Sequence, residues 1–178
     1  MHSPHAPRPG IQLVALLGFL LVFPFFLKRR PRVVRQVTIC APPEAIFPLL
    51  DDLRNWPRWA TWSDREEVRF NYGETAVGEG ASQEWQSARG SGRLVITRSE
   101  PSARMECEFT MNNGVPIFAR FDLVRDGACT RVTWKCVWDA AANPYRRYFD
   151  LAHRWLLGRD FAAGLANLKT MAERSQPS

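Results

Sequence analysis

Histidine is scarce in this chain of 178 residues; three occur, at positions 2, 5 and 153. A Ser-His-Asp set therefore has little to draw on. GxSxG, HExxH, GxGxxG and P-loop patterns are absent as well, which removes the sequence signatures of α/β-hydrolase, zinc-protease, dinucleotide and nucleotide-phosphate chemistry. The glycines of SARGSGR (87–93) open a strand-like run, whereas a phosphate cradle opens a helix. Cys40, Cys107, Cys129 and Cys136 show no CxxC spacing and have no neighbouring histidine. They read as small buried thiols, and no metal or other cofactor is expected. Residues 1–36 contain no acid, yet they hold six of the 24 Lys and Arg. The other 18 basic residues meet 18 acids. The domain proper is thus electrically balanced, and the surplus positive charge of a nucleic-acid partner's footprint is missing.

What is present at the N-terminus is one long apolar run, IQLVALLGFLLVFPFFL (11–27). As a helix it would reach roughly 25 Å, against a hydrocarbon core of about 30 Å. A cleaved signal peptide would carry its basic residues before the run and small residues after it. Here LKRRPRVVR follows the run instead, which favours a retained transmembrane helix. The positive-inside tendency then places the rest of the chain on the cytoplasmic side of the inner (cytoplasmic) membrane, single-pass, with basic residues 28–35 against anionic headgroups. That topology implies a reducing compartment for the thiols. The expected organisation is a short tail (1–10), a transmembrane helix (11–27), a basic linker (28–32), one domain (33–174) and a C-terminal tail (175–178).

Period-two alternation dominates the domain. RVVRQVTIC (32–40) opens it. APPEAIFPLLDDL (41–53) reads as a helix, with proline at its start and Glu44 in its first turn. Six runs then alternate: EEVRFNY (66–72), ASQEW (81–85), GRLVITR (92–98), ARMECEFTM (103–111), PIFARFDLV (116–124) and TRVTWKCVW (130–138). Each is apolar on one face and polar on the other, the pattern of an antiparallel sheet wet on one side. Asn113-Gly114 and Asp126-Gly127 read as hairpin turns. Residues 145–173 form the closing helix. Tyr148, Leu151, Ala152 and Trp155 lie on one face of it, and Phe161, Leu165, Leu168 and Ala172 on a second, with a kink or break near Gly158. The fold class is α+β: a curved antiparallel sheet of about seven strands wrapped on a long C-terminal helix. The concavity would be lined by Trp85, Met105, Phe109, Phe121 and Trp134, an apolar pocket of the kind that takes small molecules.

APPEAIFPLLDDLRNWPRWATW near the start and GRDFAAGLANLKTMAER at the end, with VGEGASQEW and TRVTWKCVW between them, resemble the START-like, polyketide-cyclase (SRPBCC) superfamily of helix-grip proteins. The resemblance covers about residues 33–174. It implies a deep apolar cavity between sheet and final helix. Members bind lipids, quinones, hormones or polyketides, and some catalyse cyclisation. The family has no universal catalytic constellation, so the resemblance assigns no catalytic residue.

Trp56 and Trp59, in NWPRWATW (55–62), fall where this fold has the rim of its cavity. They serve as part of the pocket mouth or as packing for short helices, and Trp62 fits the same stretch or a bilayer interface. Phe161 faces the sheet from the final helix. The function expected is non-covalent holding of a hydrophobic small molecule by a membrane-anchored domain. The alternatives are a cyclase-like enzyme, which would need an inward ionisable group such as Glu84 or Arg98, and a scaffold that recruits a protein partner through an exposed apolar patch. His153 with Asp150 reads as an exposed helix pair. Ligand identity and oligomeric state stay open.

Overall fold

The chain is described by a computed structural model for residues 9–26, 30–61, 68–88, 90–112, 114–139 and 146–175. Among these residues seven strands form one antiparallel sheet. They are β1 (Arg32–Ile39), β2 (Arg69–Tyr72), β3 (Ser82–Ser87), β4 (Gly90–Glu100), β5 (Arg104–Met111), β6 (Ile117–Asp126) and β7 (Cys129–Trp138). The spatial order is β1-β7-β6-β5-β4-β3-β2. The six later strands form a meander, and the chain-first strand joins one edge of it, beside β7. Short hairpins suffice for antiparallel neighbours. At the β6–β7 turn Asp126 pairs with Cys129 and Gly127 takes the left-handed conformation that glycine adopts without steric cost (φ 63°). Register slips between Ile96 and Arg98, a bulge of the kind that bends a sheet.

Among the described residues four helices accompany the sheet: α1 (Pro9–Val22), α2 (Pro43–Asp51), α3 (Trp56–Trp59) and α4 (Arg146–Arg174), with 3-10 turns at Phe23–Phe26 and Leu53–Asn55. α4 runs unbroken for 29 residues, one helix through Gly158 and not two in series. Gly158 instead makes room for a side chain from the sheet edge. Arg35 Nε donates to the Gly158 carbonyl at 2.9 Å, and a Cβ at 158 would overlap the guanidinium. Phe161, Leu165, Leu168 and Ala172 of α4 are all buried. Trp155 is 65 % exposed, with the Arg159 guanidinium 4.9 Å over its ring, and does not join the core stripe. The side chains of Tyr148, Asp150, Leu151, Ala152 and His153 lie outside the described residues, as do Lys28, Arg29, Trp62 and Asn113.

Two expectations are corrected here. The transmembrane helix over 11–27 is replaced by a 14-residue α-helix, α1, roughly 21 Å long. Pro24 lacks the N–H that would continue the ladder and disfavours helical backbone before it; the chain turns 3-10 from Phe23. Among the described residues no helix is long and apolar enough to cross a membrane. The single-pass placement in the inner membrane, with the domain facing the cytoplasm, is therefore overturned. The second correction concerns the cysteines. Cys107 and Cys136 are free and buried, but Cys40 and Cys129 form a disulfide across 89 residues of sequence. The β1–β7 pairing of Ile39 with Thr130 brings them together, their Cα atoms 3.9 Å apart.

Candidate functional site

The tryptophan pair of WPRW (56–59) has a structural role that spacing alone did not specify. An α-helix leaves its last four carbonyls without helical partners. In α2 these belong to Pro48, Leu49, Leu50 and Asp51. Trp59 Nε1 donates to the Leu49 carbonyl at 3.0 Å and Trp56 Nε1 to the Leu50 carbonyl at 2.8 Å. Asp52 N reaches Pro48 and Gly78 N reaches Asp51. Each indole thus satisfies its own N–H and one orphan carbonyl while burying its ring. Pro57 sits in the first turn of α3, where a missing N–H costs nothing.

Those rings close one end of the sheet's inner face. Trp56 and Trp59 lie with centroids 4.8 Å apart. Trp59 meets Trp134 edge-on at 5.8 Å, and Phe121 stacks on Trp134 at 4.8 Å. Phe161 of α4 stacks on the other side of Trp134 at 3.9 Å. Trp56, Trp59, Met105, Phe121, Trp134 and Phe161 are each at most 2 % exposed. Six of the eight residues expected to line a cavity are therefore gathered into the buried core, with Met105 beside Phe121 in register.

Register defines what adjoins this cluster. The next row across the inner face is Ile96, Cys107, Ala119 and Cys136, all buried and three of them small. Beyond it runs Tyr72, Gln83, Leu94, Phe109, Ile117 and Trp138. The last row is Phe70, Trp85, Gly92 and Met111. Phe70, Trp85 and Phe109 are only half-buried, and Tyr72 and Met111 are 38 % and 43 % exposed. The remaining two expected lining residues, Trp85 and Phe109, pack against the core but are only partly buried, toward the other end of the same face. Trp85 lies across Gly92, where a Cβ would overlap its ring.

Charge on this face, among the described residues, stands at the β1 edge, where Arg35 pairs with Trp134. Glu84 points outward toward Arg93 at 3.9 Å with both side chains about three-fifths exposed, and Arg98 pairs with Glu100. Neither turns inward as a general base or oxyanion partner would. The inward ionisable groups include two thiols: burial pushes Cys107 up to about 12, and burial followed by the neighbouring Cys107 pushes Cys136 up too. Both are neutral thiols and poor nucleophiles. Burial first, then the Asp52 carboxylate, holds the Tyr72 phenol above its ordinary value. Among the described residues no group of three or more His, Cys, Asp or Glu could hold a metal ion.

Two surface grooves differ from this face in character. One, of about 420 Å³, lies against β2–β5 and is lined by Asn71, Glu84, Gln86, Ser91, Arg93 and Thr110 together with Trp85 and Gly92. The other, of about 470 Å³, lies between α3 and the end of α4, with Arg58, Asn167, Thr170 and Arg174. Most of the side chains lining both are polar.

Comparison with known proteins agrees with this architecture. The family described as "Polyketide cyclase / dehydrase and lipid transport" matches residues 30–173. No curated protein matches. Among solved structures, the KanY protein is similar at TM-score 0.63 and 16 % identity, over 81 % of this chain and 98 % of its own. TTHA0849 from Thermus thermophilus is similar at TM-score 0.62 and 14 % identity, over 83 % of this chain and all (100 %) of its own. DynU16, from the dynemicin biosynthetic locus, gives TM-score 0.58 and 16 % identity over 82 % of this chain. The chain spans about half (48 %) of DynU16. At these identities the likeness is one of fold.

Proposed function

The chain belongs to the polyketide cyclase / dehydrase and lipid transport family, and from that premise we propose that it binds a hydrophobic small molecule on the inner face of its sheet. The guest lies against the half-buried Phe70, Trp85 and Phe109, with the buried Trp56–Trp59–Phe121–Trp134–Phe161 cluster closing the other end of the face. One observation carries this reading: inward aromatic side chains at the β2–β5 end stay half-buried while the other end of the same face is closed. Half-buried aromatics that point inward are surface awaiting cover, and apolar concave surface with few polar groups is what small-molecule sites present. Covering roughly 200 Å² of apolar guest at about 25 cal/mol/Å² supplies roughly 5 kcal/mol before ordering costs. The outward orientation of Glu84 and Arg98 and the raised thiols support holding over turnover.

Titration with Nile red, a neutral apolar dye, tests the reading. Saturable binding with blue-shifted emission is expected, weakened about tenfold or more by Trp85→Ala or Phe109→Ala, since each removes a large part of the contact surface. Trp155→Ala, an exposed site on α4, serves as the control and leaves affinity unchanged. Absence of saturable binding, or equal loss in the control, overturns the proposal.

A further inference from the structure

The inner face carries one polar side chain that its apolar role does not explain. Gln83 is 3 % exposed, and its Oε1 has no hydrogen-bond partner among the described residues. It lies in the row that borders the open end, between Tyr72 of β2 and Leu94 of β4, one row from Trp85. Native structures rarely leave a buried amide oxygen unpaired, because it has given up water for nothing in return. Such a group marks either a defect or a partner that arrives from outside.

Resting on the ligand-binding reading above, we infer that Gln83 is the polar anchor of the site and that the guest is a neutral, apolar molecule bearing a hydroxyl group. Charge and chemistry select this class. A primary amide offers an acceptor oxygen and, once rotated, two N–H donors. A hydroxyl is both donor and acceptor and meets either orientation. An anionic guest would need a cation on the same face. Register instead places Arg69 and Arg93 on the outer face, Arg98 is paired with Glu100, and Arg35 is at the far end beside Trp134. A guest without any polar group would bury the amide further and leave it unpaired, so the site discriminates against the bare hydrocarbon.

The test compares 2-naphthol with 2-methylnaphthalene, which match in size and differ in the hydroxyl. Binding is measured by calorimetry on wild type, Gln83→Met and Gln83→Leu. Methylnaphthalene is the more apolar probe and binds better to a site that reads only hydrophobicity. Wild type is expected to prefer 2-naphthol by about tenfold, equivalent to ~1.4 kcal/mol. Both variants should lose or invert that preference and hold 2-methylnaphthalene at least as tightly as wild type does. Their melting temperatures without probe should equal or exceed that of wild type, because an unpaired buried amide has been removed. Three results overturn the inference: no preference in wild type, preference retained in the variants, or a clear fall in their melting temperatures, which would mean that Gln83 is held by a structural partner. Failure of wild type to bind either probe is distinct from these, since it removes the binding site itself and the anchor with it.

Discussion

The indole of Trp85 lies over Gly92 of the adjoining strand, where any Cβ would meet ring atoms and the Thr110 carbonyl. The pair is a register contact between β3 and β4. Glycine weakens a strand by leaving nothing to pack; here the neighbouring ring supplies that packing. Gly92→Ala should force the indole off the strand and cost about 1–3 kcal/mol through overpacking. Chemical denaturation would measure the loss, and a red shift of tryptophan emission would report the displaced ring.

Trp56→Phe keeps an aromatic ring but removes the donor that satisfies the Leu50 carbonyl. The orphaned carbonyl sits at the end of α2 in the core, so about 1–3 kcal/mol of stability should be lost. At roughly 2–4 °C per kcal/mol for a chain of this size, the melting temperature should fall by about 2–12 °C. Unchanged melting would show that the indole N–H makes no net contribution there.

On the outer face Asp122 accepts from Arg120 at 2.7 Å, Lys135 at 3.0 Å and Arg104 at 3.1 Å. Burial alone would raise its pKa, but these hydrogen bonds outweigh it and hold the carboxyl at about 2, below its ordinary value of 3.8. A carboxyl with a depressed folded value stabilises the fold above its unfolded value, and that contribution is lost as pH falls through the folded value. Asp122 should therefore contribute about 2 kcal/mol at neutral pH, vanishing between about pH 4 and pH 2. Asp122→Asn should flatten that part of the stability–pH curve, and coincident curves for the two proteins from pH 7 downward would count against the assignment.

The Cys40–Cys129 link ties the end of β1 to the start of β7. The same corner holds α4, through Glu173 accepting from Cys40 N at 2.8 Å and Lys169 donating to the Thr38 carbonyl at 2.8 Å. Reduction, or the double substitution Cys40→Ser with Cys129→Ser, should cost about 2–4 kcal/mol. Thiol titration of the unreduced chain in denaturant should find Cys107 and Cys136 alone, and neither should react with iodoacetamide in the native protein at pH 8, since burial disfavours both thiolates. Four reactive thiols in the unreduced, denatured chain would refute the disulfide.

The strands were legible because each presents polar side chains to water on alternate positions, and that requirement is written locally. TRVTWKCVW shows it plainly: Val132, Trp134, Cys136 and Trp138 are all buried, while Arg131, Lys135 and Val137 are exposed. Which inward residues end up covered was not legible. Trp134 and Trp85 alternate alike in their strands, yet one is sealed by Phe161 and Trp59 and the other is half-buried, because among the described residues the helices pack on β1 and β6. The apolar run at 11–27 misled for a related reason. Hydropathy counts side chains but does not weigh the break that Pro24 makes in the backbone ladder. The cysteines misled because a contact across 89 residues leaves no trace in local spacing.

The sequence by itself determined the strand count, the inward and outward faces and the closing helix, since all of these follow from periodicities of two and 3.6 residues. Only the tertiary structure decided that two indoles cap α2, that Cys40 meets Cys129, that α4 passes Gly158 without a break, and that Gln83 faces inward unpaired beside Trp85. These depend on which strands become neighbours and in what register, and register is set by the packing of the whole sheet against its helices, which no local window contains.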